Sequence, residues 1–245
     1  MTIASTPLDT SSPSSDPMIR VDQVSRVYHQ KGGDVYALNQ VTLEIQPGEF
    51  TVLMGPSGSG KTTLLNLIGA LDLPTQGDVY IQRQAVSQLS HKERTRLRRD
   101  QIGFIFQAYN LLPVLSAYEN AEFVLLAQGV DASQRKEEVY GVLEAVGLKG
   151  LENRRPSELS GGQQQRVAIA RAIAGTPALI LADEPTANLD SHTGQELIKL
   201  MKKLNQERGL TFVFATHDPQ VMEAAHRVIR LVDGQIVEDL QRSPS

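Results

Sequence analysis

One eight-residue string limits this chain more than any other: Gly55-Pro-Ser-Gly-Ser-Gly-Lys61-Thr62. It fits the pattern G-x-x-x-x-G-K-[ST], in which glycines let successive backbone N–H groups turn inward around a phosphate. Lys61 brings a cation within reach of β- and γ-phosphate oxygens, and the Thr62 hydroxyl can ligate Mg²⁺. The flanking sequence agrees. The apolar run Phe50–Met54 reads as a strand leading into the loop. Residues Lys61–Ala70 read as a helix leaving it, with its positive N-terminus aimed at the same anion. The whole cradle is Gly55, Pro56, Ser57, Gly58, Ser59, Gly60, Lys61, Thr62 and the adjoining Thr63.

Two other apolar runs of strand length end in complementary chemistry. Leu179-Ile-Leu-Ala runs into Asp183-Glu184. The first acid suits Mg²⁺, directly or through water. The second suits a water molecule that it orients and deprotonates, which makes Glu184 the candidate base. Thr211–Ala215 runs into Thr216-His217-Asp218, where His217 can meet a γ-phosphate or the attacking water. In doubly wound sheets ligands bind at the carboxyl ends of the strands, so three such ends carrying a P-loop, an acid pair and a histidine converge on one nucleotide. Gln107, just after Ile102–Phe106, offers a side-chain oxygen for Mg²⁺ and a hinge position, although by itself it reads better as an exposed loop residue.

The rest of the chain organises around these elements. Met18–Tyr28 and Tyr36–Ile45 read as strands on either side of a turn at Lys31–Asp34, and Gly77–Ile81 as another strand. Residues 90–100 form a charged helical stretch carrying Lys92, Arg94, Arg96, Arg98 and Arg99, a solvated face that could also meet anionic lipid headgroups. From about Ala108 to Leu159 the pattern is mostly helical, with helical spacing clearest in Val139–Val146, which suggests an inserted subdomain. Asp233-Gly234 between Arg227–Val232 and Gln235–Val237 predicts a hairpin. The expected division is a disordered tail over 1–17, rich in Ser, Thr and Pro, and one domain over 18–245 with a helical subdomain over about 108–165. No stretch is apolar enough to span a bilayer. The chain has no cysteine, which excludes disulfides and thiolate metal sites, and its net charge of -4 disfavours nucleic acid as a partner.

A second anion-suited turn precedes the apolar helix Val167–Ala174. In Leu159-Ser160-Gly161-Gly162-Gln163-Gln-Gln-Arg166, Ser160 is a good N-cap and the two glycines leave backbone amides uncovered. With this string the chain resembles the ATP-binding-cassette (ABC) ATPases: Gly55–Thr62, Gln107, LSGGQQQR, Asp183-Glu184, Asn188-Leu-Asp190 and His217 occur in the family's order. The likeness covers roughly residues 18–240.

The resemblance implies an α/β P-loop NTPase fold: a mixed RecA-like core, an antiparallel β subdomain and an inserted α-helical subdomain. It implies ATP hydrolysis with Lys61, Glu184 and His217 as catalytic groups, and Mg²⁺ at Thr62, Gln107 and Asp183. Tyr28 would stack on adenine, with Tyr36 the fallback. Gln107 would be the Q-loop residue and Asp190 the D-loop residue. Ser160, Gly161, Gly162 and Gln163 would bind the γ-phosphate held by a second protomer, so the working unit is a head-to-tail homodimer sandwiching two ATPs. Within the family, Gly103–Pro113, Tyr118-Glu-Asn120 and Ala215–Pro219 are most like the ATPases of lipoprotein-releasing and macrolide-export systems. That likeness implies a separate membrane permease, a peripheral position on the cytoplasmic face of the membrane, and export. The competing expectations are a non-transport ABC ATPase, a cell-division-type regulator acting through a membrane partner, and a nucleotide-binding module that does not hydrolyse.

Overall fold

The computed structural model describes residues 16–30 and 33–242. Most of the expected tail and the first half of the Lys31–Asp34 turn lie outside the described residues. The chain opens with β1 (Ile19–Gln30), β2 (Gly33–Ile45) and β3 (Phe50–Met54), then α1 (Lys61–Ile68). Next come β4 (Gln76–Ile81), β5 (Gln84–Ala85), α2 (His91–Gln101) and β6 (Ile102–Ile105). Two helices follow, α3 (Ala117–Gln128) and α4 (Ala132–Ala145), then α5 (Gly161–Ala174). The chain closes with β7 (Leu179–Asp183), α6 (Ser191–Arg208), β8 (Thr211–Ala215), α7 (Pro219–Ala224), β9 (Arg227–Val232) and β10 (Gln235–Gln241).

The strands form two sheets. A six-stranded sheet has the order β10-β9-β3-β8-β7-β6, parallel throughout except for the antiparallel β9–β10 hairpin. A four-stranded antiparallel sheet has the order β2-β1-β4-β5. The short apolar strands β3, β7 and β8 are buried on both faces, which is why they read as continuous hydrophobic runs rather than alternations. Their period of two divides the core. Phe50, Val52, Ile180, Ala182, Phe212 and Phe214 join a cluster with residues of α3, α4, α5 and α6. Leu53, Leu179, Leu181, Val213 and Ala215 join a second cluster with α1 and the antiparallel sheet. A mixed sheet flanked by helices, with an antiparallel sheet beside it, is the arrangement that the resemblance implied.

The helical stretch is smaller than its sequence pattern suggests. Helix begins at Ala117, not Ala108, and Tyr109 and Asn110 hold left-handed backbone (φ 59 and 51). The buried side chain of Asn120 accounts for this irregular segment. Its Nδ2 donates to the carbonyls of Leu112, Leu115 and Ser116, and its Oδ1 accepts from Leu112 N. The backbone groups that a helix would have satisfied are met by one side chain instead. Nor is α2 a free basic face: Arg94 donates to the Leu89 carbonyl, Arg98 to the Ala70 carbonyl and Arg99 to both Asp100 and the Ala127 carbonyl. Of the five cations in that stretch, three are turned to partners within the chain, and Arg99 alone is paired with a carboxylate.

Candidate phosphate-binding site

Strand β3 delivers the P-loop to the carboxyl edge of the large sheet. The loop closes under it by backbone approaches that only glycine allows: a Cβ on Gly60 (φ +102) would lie 2.4 Å from the Ala37 carbonyl oxygen, and one on Gly55 (φ +151) 2.2 Å from that of Leu231. Gly60 is also the N-cap of α1, so no side chain covers the first amides of that helix. Helices α2 to α7 are all capped by a serine or aspartate side chain. The uncapped helix is the one that follows the phosphate-type loop, and its free N–H groups face the cavity where an anion would complete them.

That cavity has a volume of about 580 Å³ and is walled by Ala37, the loop from Gly55 to Thr63, Asp183, Glu184 and His217. Three strand ends therefore meet, as their sequence predicted. Lys61 Nζ donates to the carbonyls of Gly55 (2.7 Å) and Pro56 (2.9 Å), spanning the mouth of its own loop. Thr62 Oγ1 donates to both oxygens of Asp183, at 3.3 and 3.2 Å. Burial pushes the Asp183 carboxyl above the ordinary carboxylate range, and the Glu184 charge adds to this, while the Thr62 hydroxyl and Lys61 oppose it. A hydroxyl and a desolvated carboxylate side by side are the hard oxygen donors that Mg²⁺ takes.

Glu184 stands apart from ordinary strand-cap acids. Its backbone is left-handed (φ 45), its N–H donates to the Ala215 carbonyl at 2.8 Å, and its carboxylate turns toward the next strand end. There Thr216 Oγ1 donates to Oε2 at 2.9 Å and His217 Nδ1 lies 2.7 Å from Oε1. A non-glycine residue in this conformation persists only where its surroundings over-determine it.

The remaining candidates lie off the cavity wall. Gln107 is exposed, and its backbone carbonyl accepts from Asn188 Nδ2 at 2.8 Å. Ser160 caps α5 in a capping box with Gln163, and Gly161 and Gly162 form the first turn of that helix. Asp190 caps α6 through the amides of His192 and Thr193 and accepts from the Thr193 hydroxyl. Tyr28 is on β1, where its hydroxyl donates to Asp72 at 3.2 Å and the Arg26 guanidinium sits 4.7 Å from its ring centre. Tyr36, on β2, is the more exposed of the two tyrosines and adjoins the cavity-lining Ala37. One buried polar residue beside the site, Gln165, had no sequence signal beyond its place in the glutamine run 163–165.

Comparison with known proteins agrees with this geometry. The family profile described as ABC transporter matches residues 38–187. Over 223 residues the chain is 48% identical to an uncharacterized ABC transporter ATP-binding protein of Methanocaldococcus jannaschii, covering 89% of this chain and 95% of that one. A dimeric structure of the archaeal cassette in a post-hydrolysis state, bound to ADP and Pi, is similar with a TM-score of 0.86 and 45% identity, covering 92% of this chain and 100% of that chain. The macrolide export ATP-binding/permease protein MacB of Marinobacter nauticus is 45% identical over 223 residues, which is 91% of this chain but 34% of that protein.

Proposed function

The chain belongs to the ABC transporter ATP-binding family, and from that premise we propose that it binds Mg-ATP in the 580 Å³ cavity, hydrolyses it with Glu184 as base, and drives a separate membrane permease. The observation that carries the reading is the meeting of the P-loop, Asp183-Glu184 and His217 around one cavity from three separate strand ends. Lys61 and the uncapped amides of α1 bind the phosphates. Thr62 and Asp183 would hold Mg²⁺, which when bound would supply positive charge against the phosphates. Glu184 takes a proton from the attacking water, and His217, hydrogen-bonded to that carboxylate, aligns it. Gln107, exposed and off the cavity wall, is read as a hinge residue whose side-chain oxygen would serve the metal.

The same chain presents a second phosphate-type turn at Ser160–Gln163, away from its own cavity. A two-fold homodimer makes sense of this: each signature turn would close the partner's nucleotide site across an isologous interface. The dimeric state of the similar archaeal cassette supports that arrangement. The domain is read as residues 18–245 with a helical subdomain near 108–165.

The permease contact is assigned to the segment after Gln107, where Leu112, Val114, Phe123 and Leu126 are large apolar side chains left 42–72% exposed. None of the described helices is long and apolar enough to cross a membrane. The similarity to MacB, which carries its permease in the same chain, favours export of macrolide- or lipoprotein-type cargo from the cytoplasmic face of the membrane. Affinity purification of the tagged chain from detergent-solubilised membranes tests the reading. A polytopic permease should come down with it, and its stimulation of ATP turnover should follow; recovery of a soluble DNA-associated or cofactor-assembly complex instead would favour a non-transport ATPase.

A further inference from the structure

We propose that Gln165 is a positioning residue for hydrolysis: its buried amide ties the signature helix to the peptide that follows Glu184 and so sets the carboxylate in its own chain. The inference rests on the reading of Glu184 as the base.

Gln165 is fully buried in α5, on a helix whose other buried positions are small or apolar: Val167, Ala168, Ile169, Ala170, Ala172, Ile173 and Ala174. It makes one hydrogen bond, from Nε2 to the Pro185 carbonyl at 2.7 Å, while Oε1 is buried without a partner. A buried amide satisfied at one end is a poor choice for stability; an unbranched apolar side chain of similar volume would fill the same space without desolvating an oxygen. What the glutamine adds is a fixed point on the backbone beside Glu184.

That backbone needs fixing. Glu184 holds φ 45, and groups on either side of it are tied to three other elements. Its N–H donates to the Ala215 carbonyl of β8, the Pro185 carbonyl accepts from Gln165 of α5, and the Thr186 hydroxyl donates to Asp218 Oδ2 at 2.6 Å ahead of α7. Asn188 then reaches the Gln107 carbonyl. Of these ties only the one from Gln165 comes from the signature helix. The far end of the same helix is anchored too: Arg171 donates to the carbonyls of Tyr109 and Asn110, the left-handed pair just after Gln107. Helix α5 is thus a strut from the loop after Gln107 to the turn that carries the base. A shift of α5 when its N-terminal turn meets the partner's nucleotide is passed by Gln165 to Glu184, which couples closure of one site to alignment of the base in the other.

The test is Gln165→Met in the full chain, with Gln165→Leu as a second apolar variant should the first fold poorly. The expected result is a thermal midpoint near or modestly below wild type, because the Pro185 carbonyl loses its donor, with an ATP dissociation constant within twofold, KM unchanged, and kcat reduced roughly tenfold through misplacement of the carboxylate. Amide exchange at Glu184, Thr186 and Ala187 should quicken. In a Glu184→Gln background the same substitution should slow residual turnover no further. Unchanged kcat in a folded variant, or an equal loss in both backgrounds, overturns the proposal. Wild-type turnover by Glu184→Gln alone would instead remove the base assignment, which separates that failure from this one.

Discussion

His217 Nδ1 lies 2.7 Å from Glu184 Oε1, although the two side chains come from the ends of different strands, β8 and β7. An ionised carboxylate only accepts, so in this pair the imidazole Nδ1–H is the donor. With Thr216 on its second oxygen, the Glu184 carboxylate is held at both oxygens.

The first prediction concerns that carboxylate. Glu184→Gln keeps the side-chain shape but removes the base. Turnover should fall by about 10²–10⁴-fold, the range for a positioned general base. ATP should still bind, because the phosphates are held by the loop from Gly55 to Thr63 and not by Glu184. The ATP-bound variant should accumulate as a dimer in size-exclusion chromatography. Single-turnover hydrolysis at the wild-type rate would remove Glu184 from its role.

Lys61 donates two hydrogen bonds to carbonyls of its own loop, which a triphosphate would replace by stronger charge-assisted bonds to phosphate oxygens. Losing two such bonds, each about 1.5–3 kcal/mol, predicts an ATP affinity at least ~100-fold weaker in Lys61→Ala. Titration calorimetry measures it, and an unchanged affinity would contradict the cradle.

The site was more legible in the sequence than the fold around it. Lys61, Asp183, Glu184 and His217 announce themselves because each follows an apolar run whose buried strand the pattern identifies, and strand ends in a parallel sheet share one edge. The Asn120 network and the Gln165–Pro185 bond stayed hidden, since each depends on a polar side chain meeting backbone carbonyls that no periodicity registers. The arginines of α2 misled for the same reason: a charge run looks solvated until the carbonyls of Leu89, Ala70 and Ala127 are found to receive it.

Val114 is 72% exposed, in the loop that Asn120 staples to α3. Phe123 and Leu126 lie on one face of that helix at a spacing of three residues. Charge on this surface should break docking without touching the nucleotide cavity. Val114→Asp should retain basal ATP turnover and lose co-purification with the permease. Retained co-purification would move the docking surface elsewhere.

Glu119 closes the capping box that starts α3. Ser116 N donates to its Oε2 at 2.7 Å, and hydrogen bonds from the Ser116 backbone and then its side chain hold the Glu119 carboxyl below the ordinary carboxylate range. The unfolded chain therefore binds this proton more tightly than the folded one. The stabilisation is present above the unfolded pKa and is lost as pH falls through the depressed folded value. Glu119→Gln keeps a capping-box side chain but cannot titrate there. Thermal melts should show a wild-type advantage at neutral pH that shrinks across the acid window; a gap constant with pH would mean the carboxylate charge contributes nothing.

Tyr28 is tethered in a manner that suits a base platform. Its hydroxyl is bound to Asp72, Arg26 lies over its ring, and Arg26 itself pairs with Asp72 at 2.9 Å, yet the tyrosine remains 37% exposed. The tether fixes the ring plane before any ligand arrives, which lowers the entropy cost of stacking. Base–aromatic stacking is worth about 1–3 kcal/mol, so Tyr28→Ala should weaken ATP roughly 5- to 150-fold. Every purine has the same kind of π-face, so GTP should weaken by a similar factor. Tyr28→Phe, which keeps the ring but loses the bond to Asp72, should weaken ATP by less than Tyr28→Ala. The control is Tyr36→Ala, on the neighbouring strand β2 and 59% exposed without a comparable tether. If calorimetry finds the loss in Tyr36→Ala and not in Tyr28→Ala, the nucleotide base stacks on Tyr36, and the Arg26–Tyr28–Asp72 cluster serves only to pin β1 to the turn after α1.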